Sequence, residues 1–164
     1  MTAPHKVTLS LGSNMGDRYA HLIHGMLYLF SHGLTFLRCS GVYETDPVGF
    51  TQQPSFFNTV VQAETALTPM AVLDVCQNAE KERQRERTVR WGPRTLDIDI
   101  LLYDELHLDL PELTIPHPRM SERAFVLGPL EEMDPLLFRK WGFPRLVEGI
   151  RLQIPAEDLI KEIL

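Results

Sequence analysis

The run Arg94-Thr95-Leu96-Asp97-Ile98-Asp99-Ile100-Leu101-Leu102-Tyr103 decides the fold. It is rich in β-branched and apolar residues and follows the turn-forming Gly92-Pro93, so it reads as a strand. On a strand, residues i and i+2 share a face. Asp97 and Asp99 then stand side by side, with Cα atoms roughly 6.5 Å apart. Ile98, Ile100 and Leu102 face a core. A pair of acids in this pattern can simply face water, but two like charges that close beside apolar flanks are costly unless a cation lies between them. The simplest cation is a divalent metal, Mg²⁺, and the arginines just upstream suggest that it carries phosphate.

Working back toward the N-terminus, Lys6 to Leu11 alternates as a half-buried strand, and Gly12 to Asp17 is turn chemistry. Arg18 to about Ser31 repeats apolar residues at the helical period and stops near Gly33. Thr35 to Tyr43 reads as a second strand and Glu44 to Gln53 as a loop. Phe56 to Thr65 reads as a third strand. A helix then opens on Thr68 as N-cap and Pro69 as first residue, with Met70, Leu73, Val75, Cys76 and Ala79 as its apolar stripe. Arg83 to Arg90 is too polar to pack on any side and reads as a mobile loop, ahead of a fourth strand over Arg94 to Tyr103. The order β-α-β-β-α-β over 6–103 predicts an α+β, ferredoxin-like fold: an antiparallel sheet with helices on one face, plus C-terminal additions. Those additions are a short strand in Leu106–Leu110, a helix in Arg119–Met133, a Trp/Phe/Pro-rich connection, and a terminal helix at Ala156–Ile163. We expect a single domain over 1–164, with its core at 6–135 and an extension at 136–164.

Bulk properties narrow the function classes. The 164 residues are 44% hydrophobic and 23% charged, as in a globular protein with a sizeable core. No apolar run is long enough to span a membrane, and the first residues lack a signal-peptide profile. Cys39 and Cys76 lack metal-type spacing and read as reduced thiols, which predicts a cytoplasmic protein. A net charge of −6 argues against a nucleic-acid binder. Five arginines nevertheless fall within the twelve positions 83–94, a local cluster that suits a small polyanion such as a nucleotide. Part of that run, Lys81 and Arg83 included, reads as a solvated surface.

His117 lies between Pro116 and Pro118, which fix its backbone and make it a candidate ligand or phosphate contact. His21 and His24 read as structural or surface. Phe56 and Phe125 read first as core; beside Asn58 and Arg123 they could also stack on a ring. There is no P-loop and no dinucleotide fingerprint.

In order and spacing these pieces resemble the 6-hydroxymethyl-7,8-dihydropterin pyrophosphokinase family, over about residues 7–135. The resemblance rests on Leu11-Gly12-Ser13-Asn14-x-Gly16-Asp17, Tyr43-Glu44-Thr45-x-Pro47-x-Gly49, and Gln53-Pro54-x-Phe56-x-Asn58. It continues in Arg90-Trp91-Gly92-Pro93-Arg94-x-x-Asp97-Ile98-Asp99, Pro116-His117-Pro118, and Arg123-x-Phe125-Val126-Leu127-x-Pro129-Leu130. Gln84 departs from the glycine common in the family, and Phe56 replaces the tyrosine of some members.

The resemblance implies a monomer that moves pyrophosphate from ATP to the pterin alcohol and releases AMP in folate biosynthesis, with no nucleic-acid or membrane partner. It implies two Mg²⁺ ions on Asp97 and Asp99, and catalytic roles for Arg85, Arg94, Asp97 and Asp99. The ATP side would be Gln77, Glu80, Arg87, Arg90, Arg94, Ile100, His117 and Arg123. The pterin side would be Gly12, Thr45, Pro47, Val48, Phe56, Asn58, Trp91, Asp97 and Phe125, with the two phenylalanines sandwiching the ring.

Two rivals fit less well. A nucleotidyltransferase would bring Gly-Ser and Asp-x-Asp within one short stretch, whereas Ser13 and Asp97 lie in separate halves. An RNA-binding module on the same frame would need a basic, aromatic sheet face.

Overall fold

A computed structural model of the chain describes residues 4–46, 54–83 and 95–164. The elements are β1 (His5–Ser13), α1 (Arg18–Ser31), β2 (Leu34–Cys39), β3 (Val42–Thr45), β4 (Phe56–Thr65), α2 (Pro69–Glu82), β5 (Asp97–Tyr103), β6 (Leu108–Asp109), β7 (Thr114–Ile115), α3 (Ala124–Met133), α4 (Pro135–Trp141), β8 (Ile150–Ile154) and α5 (Ala156–Ile163). The main sheet runs β5-β1-β4-β3-β8, with β2 also paired to β4. The βαββαβ core and its antiparallel sheet order are those of a ferredoxin-like fold.

A side chain caps the start of each long helix, and Thr68 takes the N-cap position expected of it. Asp17 Oδ1 accepts the Ala20 N–H at 3.0 Å, and Thr68 Oγ1 accepts that of Ala71 at 3.2 Å. Leu22, Met26 and Leu29 of α1 and Val72, Cys76 and Ala79 of α2 are buried against Val7, Leu9 and Leu11 of β1. Each such aliphatic side chain stabilises the fold by about 1.5–3 kcal/mol, and Leu29→Ala would cost about 2–5 kcal/mol. Cys39 and Cys76 are both free and buried. Burial pushes the Cys39 thiol up to about 12 and raises that of Cys76, which leaves both unreactive.

The second strand is broken in two. Ser40 interrupts it and replaces ladder bonds with its own: its N–H donates to Val60 O at 2.8 Å, and its Oγ accepts the Val60 N–H at 3.0 Å. At the same break Gly41 lets β8 approach, since a Cβ there would sit 2.5 Å from Ile154 O. Glu44 and Thr45 belong to β3 and not to the following loop. The expected strand at 106–110 shrinks to Leu108–Asp109, paired with β7.

The expected helix at 119–133 also divides, into a 3₁₀ turn (Met120–Glu122) and α3. Arg123 between them is extended, and its carbonyl accepts the Val126 and Leu127 N–H groups. A second apolar cluster joins α3 and Phe138 of α4 to Val60 and Leu101. Thus α1 and α2 share one face as expected, while α3 roofs part of the other. Arg83, expected as free surface, caps α2 and donates from Nε to His21 Nδ1 at 3.1 Å. The expectations for residues 84–94, the arginine loop included, lie outside the described residues.

Candidate active site

The register fixes which side chains share the second face. Asp97 pairs with Gly12, Gly12 with Asn58, and Asn58 with Tyr43; Asp99 pairs with Ser10; Phe56 pairs with Thr45. Directly paired residues project to the same side. Ile98 and Ile100 project to the opposite side, into the core under α1 and α2. Any nucleotide contact of Ile100 would therefore run through its main chain.

On the second face lies a cavity of about 700 Å³. Its lining includes Gly12, Thr45, Phe56, Asn58, Asp97, Asp99, Arg123 and Phe125, all named in the sequence reading. Residues from five strands and the start of α3 meet there. The volume lies in the usual range for a small-molecule site.

Individual contacts give this surface its chemistry. Asn58 Nδ2 donates to Thr45 Oγ1 at 2.9 Å, which leaves Asn58 Oδ1 as an acceptor and the Thr45 O–H as a donor. Both residues are buried. A side chain at position 12 would collide with this amide, because a Cβ there would lie 2.8 Å from Asn58 Oδ1. Phe56 and Phe125 are half-buried, so each keeps part of its ring toward the cavity. The Arg123 guanidinium carbon lies 5.5 Å from the Phe125 ring centroid.

At the other end, Asp99 Oδ2 faces Arg123 Nη1 at 3.8 Å and His117 Nε2 at 3.9 Å. His117 Nδ1 accepts the Arg119 N–H at 3.2 Å, so in the neutral ring the proton sits on Nε2. Its main-chain N–H donates to Leu101 O at 2.9 Å, which pins the Pro-His-Pro turn to β5. Burial lowers the His117 pKa; Asp99 opposes that shift, and Arg123 and Arg119 add to it.

Glu80 of α2 accepts the Ile98 N–H at 2.8 Å, a tie between helix and strand. Gln77 lies exposed on the same helix. Neither is among the described residues lining the cavity. Arg85, Arg87, Arg90, Trp91, Arg94, Pro47 and Val48 lie outside the described residues.

Among the described residues, no three metal-ligating side chains cluster. Mg²⁺ nevertheless fits the Asp97–Asp99 pair, because it commonly takes one or two carboxylates and completes its shell with water and substrate phosphate. The described lining carries five acids (Asp46, Asp97, Asp99, Glu122, Glu148) and two arginines (Arg119, Arg123). A polyanionic ligand would therefore need added cations there.

Other lining residues belong to no motif. Ser10 follows from alternation, two before Gly12 on one strand. Glu148, Gly149 and Ile150 reach the cavity only through the pairing of β8 with β3, which no local pattern signals.

A model of the 7,8-dihydro-6-hydroxymethylpterin-pyrophosphokinase (HPPK) family matches residues 8–135. The chain belongs to this family. A Bacillus subtilis 2-amino-4-hydroxy-6-hydroxymethyldihydropteridine pyrophosphokinase is 46% identical over 126 residues, which are 76% of this chain and 75% of that one. A Pseudomonas aeruginosa protein of the same name is 43% identical over 132 residues, covering 79% and 81%. A crystal structure of Plasmodium falciparum HPPK-DHPS with pterin and p-hydroxybenzoate covers 99% of this chain and 43% of its own, at a TM-score of 0.63 and 16% identity. That likeness shows the fold, and this HPPK chain spans less than half of that longer protein. Membership makes the chain an enzyme of the pyrophosphokinase step of folate biosynthesis, with ATP as co-substrate. No helix among its described residues is long and apolar enough to cross a membrane.

Proposed function

We propose that this chain transfers the pyrophosphoryl group of ATP to the hydroxymethyl oxygen of 6-hydroxymethyl-7,8-dihydropterin and releases AMP, with the cavity on the second sheet face as its active site. The observation that carries this reading is one cavity that holds the Asp97–Asp99 pair at one end and Phe56, Phe125, Asn58 and Thr45 at the other. A metal–phosphate region and an aromatic, hydrogen-bonding region then lie side by side, as transfer between a nucleotide and a flat heterocycle requires.

Pyrophosphoryl transfer is chiefly positioning plus charge neutralisation. Asp97 and Asp99 would hold Mg²⁺, two ions by the family resemblance, and the bound metal supplies electrostatic stabilisation to the phosphate oxygens. Asn58 and Thr45 would read the pterin's hydrogen-bonding edge, above the open space that Gly12 preserves. Phe56 and Phe125 would hold the ring by stacking. His117 would offer its Nε2–H, and Arg123 its guanidinium, to phosphate oxygens. Arg85 and Arg94 would neutralise charge during transfer, with Gln77, Glu80, Arg87, Arg90 and Ile100 on the nucleotide side. Pro47, Val48 and Trp91 would complete the pterin side. We assign all of this to one monomeric catalytic domain acting in the cytoplasm.

The test is incubation of the protein with ATP, Mg²⁺ and the hydroxymethyl dihydropterin, following AMP by chromatography. The reading requires pterin-dependent AMP. ADP as product, inorganic pyrophosphate release, or turnover indifferent to pterin would overturn it.

A further inference from the structure

Among the described residues, those inside the family match do not line the cavity alone. Part of its wall is Glu148, Gly149 and Ile150, which lie beyond residue 135, where the family match stops. Ile150 opens β8 and pairs with Thr45, which pairs in turn with Phe56. The three form one row across the sheet, and all three line the cavity.

From above, Ile150 meets α3. A Cβ on Gly128 would lie 2.4 Å from Ile150 Cδ1, so the helix rests against that methyl group. Gly128 follows Phe125 by three residues, a spacing that puts both on one side of the helix. Ile150 is thus wedged between the strand that carries Thr45 and the helix that carries Phe125. It is half-buried, with part of its side chain still facing the cavity.

We propose that Ile150 is a specificity-determining residue: its side chain walls the pterin end of the cavity and sets the width of the bicyclic ring seated between Phe56 and Phe125. The proposal rests on reading that end of the cavity as the pterin site. An apolar wall of this kind discriminates by volume, and a single methylene changes ligand preference by roughly 10- to 200-fold. The extension at 136–164 then takes part in substrate choice through one residue delivered by a sheet edge.

The test measures binding of the hydroxymethyl dihydropterin to the full chain by calorimetry, with Mg²⁺ and a non-hydrolysable ATP analogue present. Affinity for the ATP analogue is measured separately. Ile150→Ala should weaken pterin binding about tenfold, leave nucleotide affinity unchanged, and raise relative affinity for a pterin bearing an extra ring methyl. Gly128→Ala, which displaces Ile150 Cδ1, should weaken pterin binding in the wild-type background. It should have little effect in an Ile150→Val background, where Cδ1 is gone. That pair decides the matter even if Ile150→Ala fails to fold.

Pterin affinity equal to wild type in a folded Ile150→Ala chain, or equal loss for both ligands, overturns the proposal. So does a Gly128→Ala effect independent of residue 150. A wild-type chain that binds no pterin overturns the reading of the site itself, and the proposal with it.

Discussion

Glu80 Oε2 accepts the main-chain N–H of Ile98 at 2.8 Å, and Ile98 is the residue between the two carboxylates of β5. Because β5 is the outer strand among the described residues, the α2 side chain supplies an acceptor where no further described strand lies. The bond fixes the peptide from which Asp97 and Asp99 project. Glu80→Ala should lower kcat about 10- to 100-fold and stability by about 1–3 kcal/mol. Glu80→Gln keeps an oxygen acceptor and should retain most of both. Steady-state kinetics and urea unfolding separate the two variants; a Gln variant as impaired as the Ala variant would show that charge, not the bond, matters.

The carboxylate pair makes stability and activity pull apart. In the metal-free protein Asp99→Asn loses the repulsion of Asp97 and the attraction of Arg123 together, so its stability should stay within about 1 kcal/mol of wild type. Asp97→Ala and Asp99→Ala should each reduce turnover by several orders of magnitude while circular dichroism stays that of wild type. Adding Mg²⁺ with an ATP analogue should raise the melting temperature of wild type and not of the variants, because only a binding-competent native state gains from ligand. Near-normal AMP release by either alanine variant would remove the metal assignment.

His117 gives the site a defined pH response. Burial holds its pKa below the ordinary 6.5, so the ring is neutral at pH 7. The unfolded chain takes up the proton more readily than the folded one. Stability from this group is therefore full above pH 6.5, falls as the pH drops through 6.5 toward the folded value, and then levels. Imidazole NMR titration of the metal-free protein should give a midpoint under 6.5. In Asp99→Asn the midpoint should move further down, because the Asp99 charge, which favours the imidazolium, is gone. A midpoint at or above the ordinary value would contradict this account.

Local patterns in the chain carried most of the fold and part of the site. Phe56–Thr65 and Ala156–Ile163 were legible to the residue, because a turn signal or helix-opening residue marks each start and an apolar period runs through each. The alternation that put Asp97 and Asp99 on one face holds, as does the capped start of α2. What the sequence concealed depends on long-range partners. Ser40 breaks a strand that looked continuous because its side chain bonds Val60 on a neighbouring strand. Arg123 leaves the expected helix and caps α3, which turns its side chain toward Asp99. The short, mostly exposed β8 carries no periodic signal and exists as a strand only through its pairing with β3.

Arg18 joins Glu44 to Ser55, on either side of the stretch 47–53, two residues of which, Pro47 and Val48, belong to the proposed pterin side. Its Nη1 donates to Ser55 O at 2.9 Å, to Ser55 Oγ at 3.0 Å and to Glu44 Oε2 at 3.2 Å, while its guanidinium carbon lies 3.8 Å from the Phe57 ring centroid. Arg151 approaches the other Glu44 oxygen at 3.3 Å, and Asn14 Nδ2 donates to Pro54 O at 3.0 Å. The Ser55 hydroxyl, then Arg18 and Arg151, hold the Glu44 pKa below its ordinary 4.5 against the opposing effect of burial. A depressed carboxylate contributes stability above its unfolded pKa and loses it as the pH falls through the folded one. The excess melting temperature of wild type over Glu44→Gln should thus be largest near neutrality and shrink below pH 4.5. Arg18→Ala severs both flanks at once, so the KM for pterin should rise about tenfold with a smaller change for ATP, since ordering the pocket then draws on binding energy. Equal KM changes for the two substrates would mean that the clamp supports the whole cavity and not its pterin side.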